Sequence, residues 1–244
     1  MAYNVAQAAG EETVTLQFSG GALPMFGRAL LAAICMMLIV PAAWGVVPFV
    51  RWFIEHLEWS DGTRAHFEGE PGDVWYLFSL AGLVGYIPVI AQYGIDDTLP
   101  VRLGAAIITA VCTSIIAVPI WRWYTSRTQI GHVTDLSFDG SVTGYIGFNV
   151  LMQLAVYTII GWAWVSTAMQ RWLMSHIQSS DVRFEFVGSG LGVLWRSLVT
   201  GLASIFIIPI PWVMRWLISW FVEQTVMHRT AALPAPPAPF AAQE

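Results

Sequence analysis

Polar and apolar positions along this chain follow two rhythms. Thr13-Val14-Thr15-Leu16-Gln17-Phe18 alternates strictly, the period of a half-buried strand, and Ser19-Gly20-Gly21 ends it. Further strands are predicted at Ala65-His66-Phe67, at residues 132–138 and at Val182-Arg183-Phe184-Glu185-Phe186. Between them lie five runs without a charged residue: 29–50, 74–95, 103–121, 140–170 and 197–214, the shortest being 18 residues long. A helix of about 20 apolar residues crosses about 30 Å of hydrocarbon. Backbone groups in lipid must pair internally, so these runs predict membrane helices. Pro41 and Pro48 break the first run, and Gly69-Glu70-Pro71-Gly72 stops the second strand.

The pattern repeats at an offset of about 120 residues. Leu16-Gln17-Phe18-Ser19-Gly20 returns as Leu136-Ser137-Phe138-Asp139-Gly140. Trp44 meets Trp164, Arg51-Trp52 meets Arg171-Trp172, His56 meets His176 and Asp61 meets Asp181; after one residue drops out, Phe67-Glu68-Gly69 meets Phe186-Val187-Gly188. A fixed-period echo implies duplication of one unit, with Gly20, Gly69, Gly140 and Gly188 as its turns. The expected organisation is a flexible lead (1–12), a first repeat with about three membrane elements (13–130), a second with about two (131–228), and an Ala/Pro-rich tail (229–244).

Composition strengthens the membrane reading. The chain is 56% hydrophobic and 11% charged, against about 25% charged residues in soluble domains. Residues 1–21 hold no Lys or Arg but include Glu11 and Glu12, so no signal peptide is expected and the first run is retained. Cys35 and Cys112 both fall inside apolar runs, which argues against a structural disulfide. Net charge is −5 and no basic stripe is present, which excludes nucleic acid as a partner.

Arg-Trp pairs follow apolar runs at Arg51-Trp52, Arg122-Trp123, Arg171-Trp172 and Arg215-Trp216. They read as membrane anchors: Trp sits at headgroup depth, and Arg extends its guanidinium to water. Five simple crossings would put Arg51 and Arg171 on opposite sides, whereas a positive-inside bias would put all four pairs on one. Helical hairpins over 22–58 and 142–178, bent at Pro41 and Gly161, resolve the conflict by returning each chain segment to its starting side. The sequence alone leaves both arrangements open.

The unit so described is a strand ending in Phe-x-Gly, an apolar span, an Arg-Trp helix and a second strand with the same ending. It resembles the repeated domain of the YjgN-like bacterial inner-membrane family, through Phe18-Ser19-Gly20, Arg51-Trp52, Phe67-Glu68-Gly69, Phe138-Asp139-Gly140, Arg171-Trp172 and Phe186-Val187-Gly188. The resemblance covers residues 13–226 and departs at Ala42-Ala43-Trp44-Gly45, where a turn of another composition is usual in that family. It implies a bacterial inner-membrane location and brings no activity with it.

The expected fold class is therefore all-α integral membrane: two tandem repeats of a transmembrane or interfacial helix unit with short extramembrane strands. Among candidate sites, the repeat-related His56 and His176 invite haem, chlorin or metal ligation. No neighbouring ligand spacing supports this, so no cofactor or metal is expected. The acidic stretch Glu55, Glu58, Asp61, Glu68, Glu70 and Asp73 reads as a solvated face. Asn149, Gln153, Thr109, Thr113 and Ser114 read as helix-packing residues. No catalytic motif stands out, and the chain is expected to be no enzyme. Its expected role is that of an accessory or structural subunit packing against other membrane proteins, its 13 Trp and 13 Phe forming much of that surface. A transporter built from the duplicated unit is the alternative.

Overall fold

The computed structural model describes residues 12–158 and 160–229. The expected lead and tail lie outside these residues, apart from Glu12 and Arg229, which belong to strands. In chain order the elements are β1 (Glu12–Phe18), α1 (Ala22–Met37), α2 (Ala42–Glu55), β2 (Leu57–Trp59), β3 (Ala65–Phe67), α3 (Pro71–Gly85), α4 (Ile87–Gly94), α5 (Leu99–Ser126), β4 (Thr128–Ile130), β5 (Ser137–Phe138), α6 (Val142–Ala155), α7 (Gly161–Ser175), β6 (Ile177–Gln178), β7 (Val182–Phe186), α8 (Gly190–Ser204), α9 (Ile210–Glu223) and β8 (Thr225–Arg229).

One arrangement therefore occurs four times: a strand, a helical hairpin and a second strand. The first and second strands of each unit pair antiparallel, as β1 with β2, β3 with β4, β5 with β6 and β7 with β8. Each hairpin thus returns the chain to the side from which it left. Strands of different units join these pairs into a six-stranded sheet, ordered β2-β1-β8-β7-β6-β5, beside the ribbon β3-β4. A bridge between Glu58 and Arg64 ties β2 to the start of the ribbon. The hairpins form a ring as well: α2 packs on α3, α5 on α6, α7 on α8, and α9 on α1, which brings the last hairpin against the first.

The expected all-α class is overturned by these eight strands in antiparallel pairing. Among the described residues two helical stretches, Pro71–Gly94 and Leu99–Ser126, are long and apolar enough to cross a membrane, so the expected five spans are corrected as well. The physical reason is that an uncharged run does not reveal where a helix reverses. Run 29–50 contains the turn at residues 38–41, where Ile39 takes the left-handed φ of 64°. Run 197–214 contains the break between Ser204 and Ile210. These runs are hairpin apices rather than single crossings.

The core lies beneath the strand layer. Val14, Leu16 and Phe18 are buried while Thr13, Thr15 and Gln17 face outward, as the alternation predicts. The same cluster takes Met227, Val182 and Phe184 from one side and Ala65 and Ile130 from the other, so all the units share it.

Each unit closes by the same backbone bond. The residue between Phe and Gly donates its N–H to the carbonyl just before the closing strand: Ser19 to His56, Glu68 to Arg127, Asp139 to His176 and Val187 to Gln224, at 2.9–3.1 Å. The glycine that follows is required by close approach. A Cβ on Gly20, Gly69, Gly140 or Gly188 would stand 2.2–2.5 Å from the ring of the Phe two residues earlier, which folds over it.

Candidate functional site: an apolar cavity beneath the strand layer

The C-terminal ends of α2, α5, α7 and α9 converge under the sheet. Between them lies a cavity of about 530 Å³, within the range of roughly 300–1,000 Å³ common to small-molecule sites. All four units line it, through Ile54, Tyr124, Met174 and Ile218 on the helices and Leu16 and Phe184 on the strands.

The lining carries no charged side chain. Its three threonines turn their hydroxyls away: Thr125 donates to the carbonyls of Trp121 and Arg122, Thr128 to Tyr124 and Thr225 to Phe221. Their methyl groups complete an apolar wall. Three polar groups are left over: the Tyr124 hydroxyl, the Gln170 amide and the buried Trp59 indole N–H form no hydrogen bond among the described residues. An apolar wall of this kind offers water few of the two to four partners it needs.

The Arg-Trp helices build the walls of this site, and three of their four arginines hold a neighbouring turn. Arg51 Nη2 donates to the Gly69 carbonyl at 2.7 Å and Arg171 Nη2 to the Gly188 carbonyl at 2.8 Å. In each case the arginine of one unit holds the Phe-x-Gly turn of the next. Arg215 Nε makes the corresponding bond to the Gly20 carbonyl at 2.6 Å, from the last unit to the first. Arg122 is exposed and makes no such bond to Gly140 among the described residues.

The tryptophans hold the Phe-x-Gly turns from the side. Trp52 meets the Phe18 ring edge-on at 6.0 Å, Trp123 meets Phe67 at 5.4 Å and Trp172 meets Phe138 at 6.1 Å. In the fourth unit the dipeptide Arg215-Trp216 points to the wrong tryptophan. Trp52, Trp123 and Trp172 each stand five residues before the closing strand, and in the last unit that position is Trp220. Trp220 is 9% exposed and carries Arg196 over its ring at 4.3 Å, whereas Trp216 is 41% exposed. Spacing to the following strand, not the Arg-Trp dipeptide, is the signal that finds Trp220.

His56 and His176 occupy equivalent places at the ends of α2 and α7. Each Nδ1 lies 2.7 Å from the carbonyl four residues earlier, Trp52 or Trp172, and each ring rests against that tryptophan at 4.4–4.5 Å. This geometry takes Nδ1–H as donor to a helix-terminal carbonyl. No cluster of three or more His, Cys, Asp or Glu suited to a metal occurs among the described residues.

The acidic stretch divides. Glu58 pairs with Arg64 and Asp73 with Arg127 on the surface. Asp61 is different: it accepts from the Thr63 backbone N–H and hydroxyl at 2.9 Å and from Arg229, which lies 168 residues away on β8. Burial pushes the Asp61 carboxyl up, but the Thr63 hydrogen bonds and the Arg229 guanidinium outweigh it and hold the group below its ordinary value. Comparison with family models, with curated proteins and with solved structures gave no match.

Proposed function

We propose that this chain is a non-catalytic, multi-pass protein of the bacterial inner membrane. Its ring of hairpins sits in the bilayer beneath a cytoplasmic strand layer, and it serves as a structural or accessory subunit for other membrane proteins. The observation that carries the reading is the contrast among the four hairpin apices. The hairpin of α3, α4 and α5 has arms of 24 and 28 residues, about 36 and 42 Å, enough to cross about 30 Å of hydrocarbon. Its apex is charged, with Asp97 paired to Arg102. The other hairpins have arms of 14–16 residues, about 21–24 Å, and apices without charge. One apex emerges into water, and three end within the apolar layer.

Side-chain exposure supports this. In the apex between α8 and α9, Ile205, Phe206, Ile207 and Ile208 are 70–84% exposed, a patch that water disfavours. Only 28% of the qualifying apolar 18-residue window in each long arm is buried, whereas the core helix of a soluble protein is mostly enclosed. All 11 basic residues are arginines, and Arg102 alone stands at an apex; the excess at the strand layer favours a cytoplasmic placement. The bacterial inner membrane itself follows from the resemblance carried by the Phe-x-Gly and Arg-Trp pattern.

The test is fractionation of the expressed chain, followed by purification in mild detergent and mass spectrometry of what accompanies it. The reading expects membrane retention after a high-salt, alkaline wash and a stoichiometric membrane-protein companion. Recovery in the soluble fraction overturns the seating, and a homogeneous lone chain overturns the accessory role.

A further inference from the structure

We propose that the cavity beneath the strand layer holds one long acyl chain. The proposal deepens the membrane reading, because the bilayer is the source of such chains, yet the site is defined by its own lining. The wall is almost wholly apolar and is drawn from all four units. With the threonine hydroxyls bound to their own carbonyls, nothing in the wall selects for a charged or richly polar ligand. The Tyr124 hydroxyl, the Gln170 amide and the Trp59 indole N–H are the groups of the wall left to meet a hydrogen-bonding head. A hydrocarbon chain with a single carboxyl or ester group fits this division: the chain removes apolar wall from water, and the head meets a polar group that the protein leaves open. A free fatty acid and the acyl chain of a bilayer phospholipid share this chemistry.

Photo-crosslinking of the full chain in phosphatidylethanolamine vesicles tests the proposal. Two probes carry a diazirine at the same mid-chain carbon: palmitic acid, and a phosphatidylethanolamine esterified with that acid. The expected result is labelling of residues near Ile54, Met174 and Ile218 by at least one probe, competed by excess unlabelled palmitic acid; the probe that labels identifies the source. Ile218→Trp fills the cavity and is expected to reduce this labelling at least about fivefold, leaving the outward-facing Leu198 and Leu202 labelled as before. Val50→Trp does the same from another wall and serves if the first variant does not fold. Gln170→Ala, at a half-exposed position, is expected to lower labelling by the acid about fivefold through the lost head contact. Labelling confined to outward residues, or cavity labelling unchanged in a folded Ile218→Trp or Val50→Trp variant, overturns the proposal. Failure of the membrane reading looks different: the chain stays soluble and Leu198 and Leu202 go unlabelled, while free palmitic acid still labels the cavity.

Discussion

Arg215 donates from Nε to the carbonyl of Gly20 at 2.6 Å, across 195 residues of chain. The bond joins the last hairpin to the first turn, beside the antiparallel pairing of β1 with β8 from Glu12↔Arg229 to Thr15↔Val226. Together with α9 against α1, it turns a linear series of four hairpins into a closed ring.

Arg215→Ala is expected to destabilise the protein by about 1–2 kcal/mol, since it removes a charged donor and leaves the Gly20 carbonyl without that partner. Arg122→Ala, which breaks no equivalent bond, is expected to be near neutral. Thermal unfolding in one detergent, followed by near-ultraviolet circular dichroism of the tryptophans, compares the two. Equal shifts would remove the special role of the closing bond.

Gly140→Ala places a methyl group 2.2 Å from the Phe138 ring, so the ring must leave its site against Trp172. The expected loss is about 1–3 kcal/mol, typical of overpacking. Phe138→Leu in the same chain is expected to recover part of it, giving a positive coupling in a double-mutant cycle. Strict additivity would mean that the glycine is required for another reason.

Asp61 titrates below its ordinary value, and the sign of its effect follows. The folded state binds the proton more weakly than the unfolded state, in which an Asp has a pKa of about 3.9. The stabilisation it gives is complete above that value and is lost as pH falls through the lower folded pKa. Asp61→Asn is therefore expected to lower stability at neutral pH and to flatten the acid limb below about pH 4. Denaturation midpoints from pH 7 down to pH 2.5 check this; an unchanged acid limb would refute it.

Asn149 donates to the Ser114 hydroxyl at 3.1 Å, linking α6 to α5, and the Ser114 hydroxyl in turn donates to the Ala110 carbonyl at 2.6 Å. Asn149→Leu is expected to cost about 0.6–1.7 kcal/mol, the scale of polar contacts between membrane helices. Unfolding in denaturing detergent measures it, and a more stable variant would contradict the packing role.

The opening strands were legible because alternation is local: Thr13 to Phe18 declares its buried face by itself, and Phe-x-Gly marks where β1, β3, β5 and β7 stop, although the strand expected over 132–138 is only Ser137–Phe138. The closing strands β2, β4, β6 and β8 were not legible, because two to five residues after a helix are too short to show a period. Asn149 and Ser114 were legible as packing residues because a polar side chain in an apolar run needs a partner. The class of the fold was not legible, because apolar runs report hydrophobicity and not direction. The reversal at Ile39 leaves no charge, and neither does the break before Ile210. The cavity was hidden for a related reason: Ile54, Tyr124, Met174 and Ile218 are ordinary apolar or aromatic residues until four separate helices bring them together. His56 and His176 stood out in sequence as a symmetric pair, and their shared task is to cap the helix that precedes each of them.

The seating of the ring is tested most directly by cysteine accessibility in sealed, oriented inner-membrane vesicles. In a Cys35→Ala, Cys112→Ala background, single cysteines at Ser60, His132 and Ser180 report the strand layer, Thr98 the charged apex, and Val40 and Ile207 two apolar apices. The account predicts that a membrane-impermeant maleimide labels Ser60→Cys, His132→Cys and Ser180→Cys from one side, labels Thr98→Cys only from the other, and leaves Val40→Cys and Ile207→Cys unlabelled until detergent is added. Labelling of the strand-layer cysteines from opposite sides, or of all six in intact vesicles from one side, would contradict it.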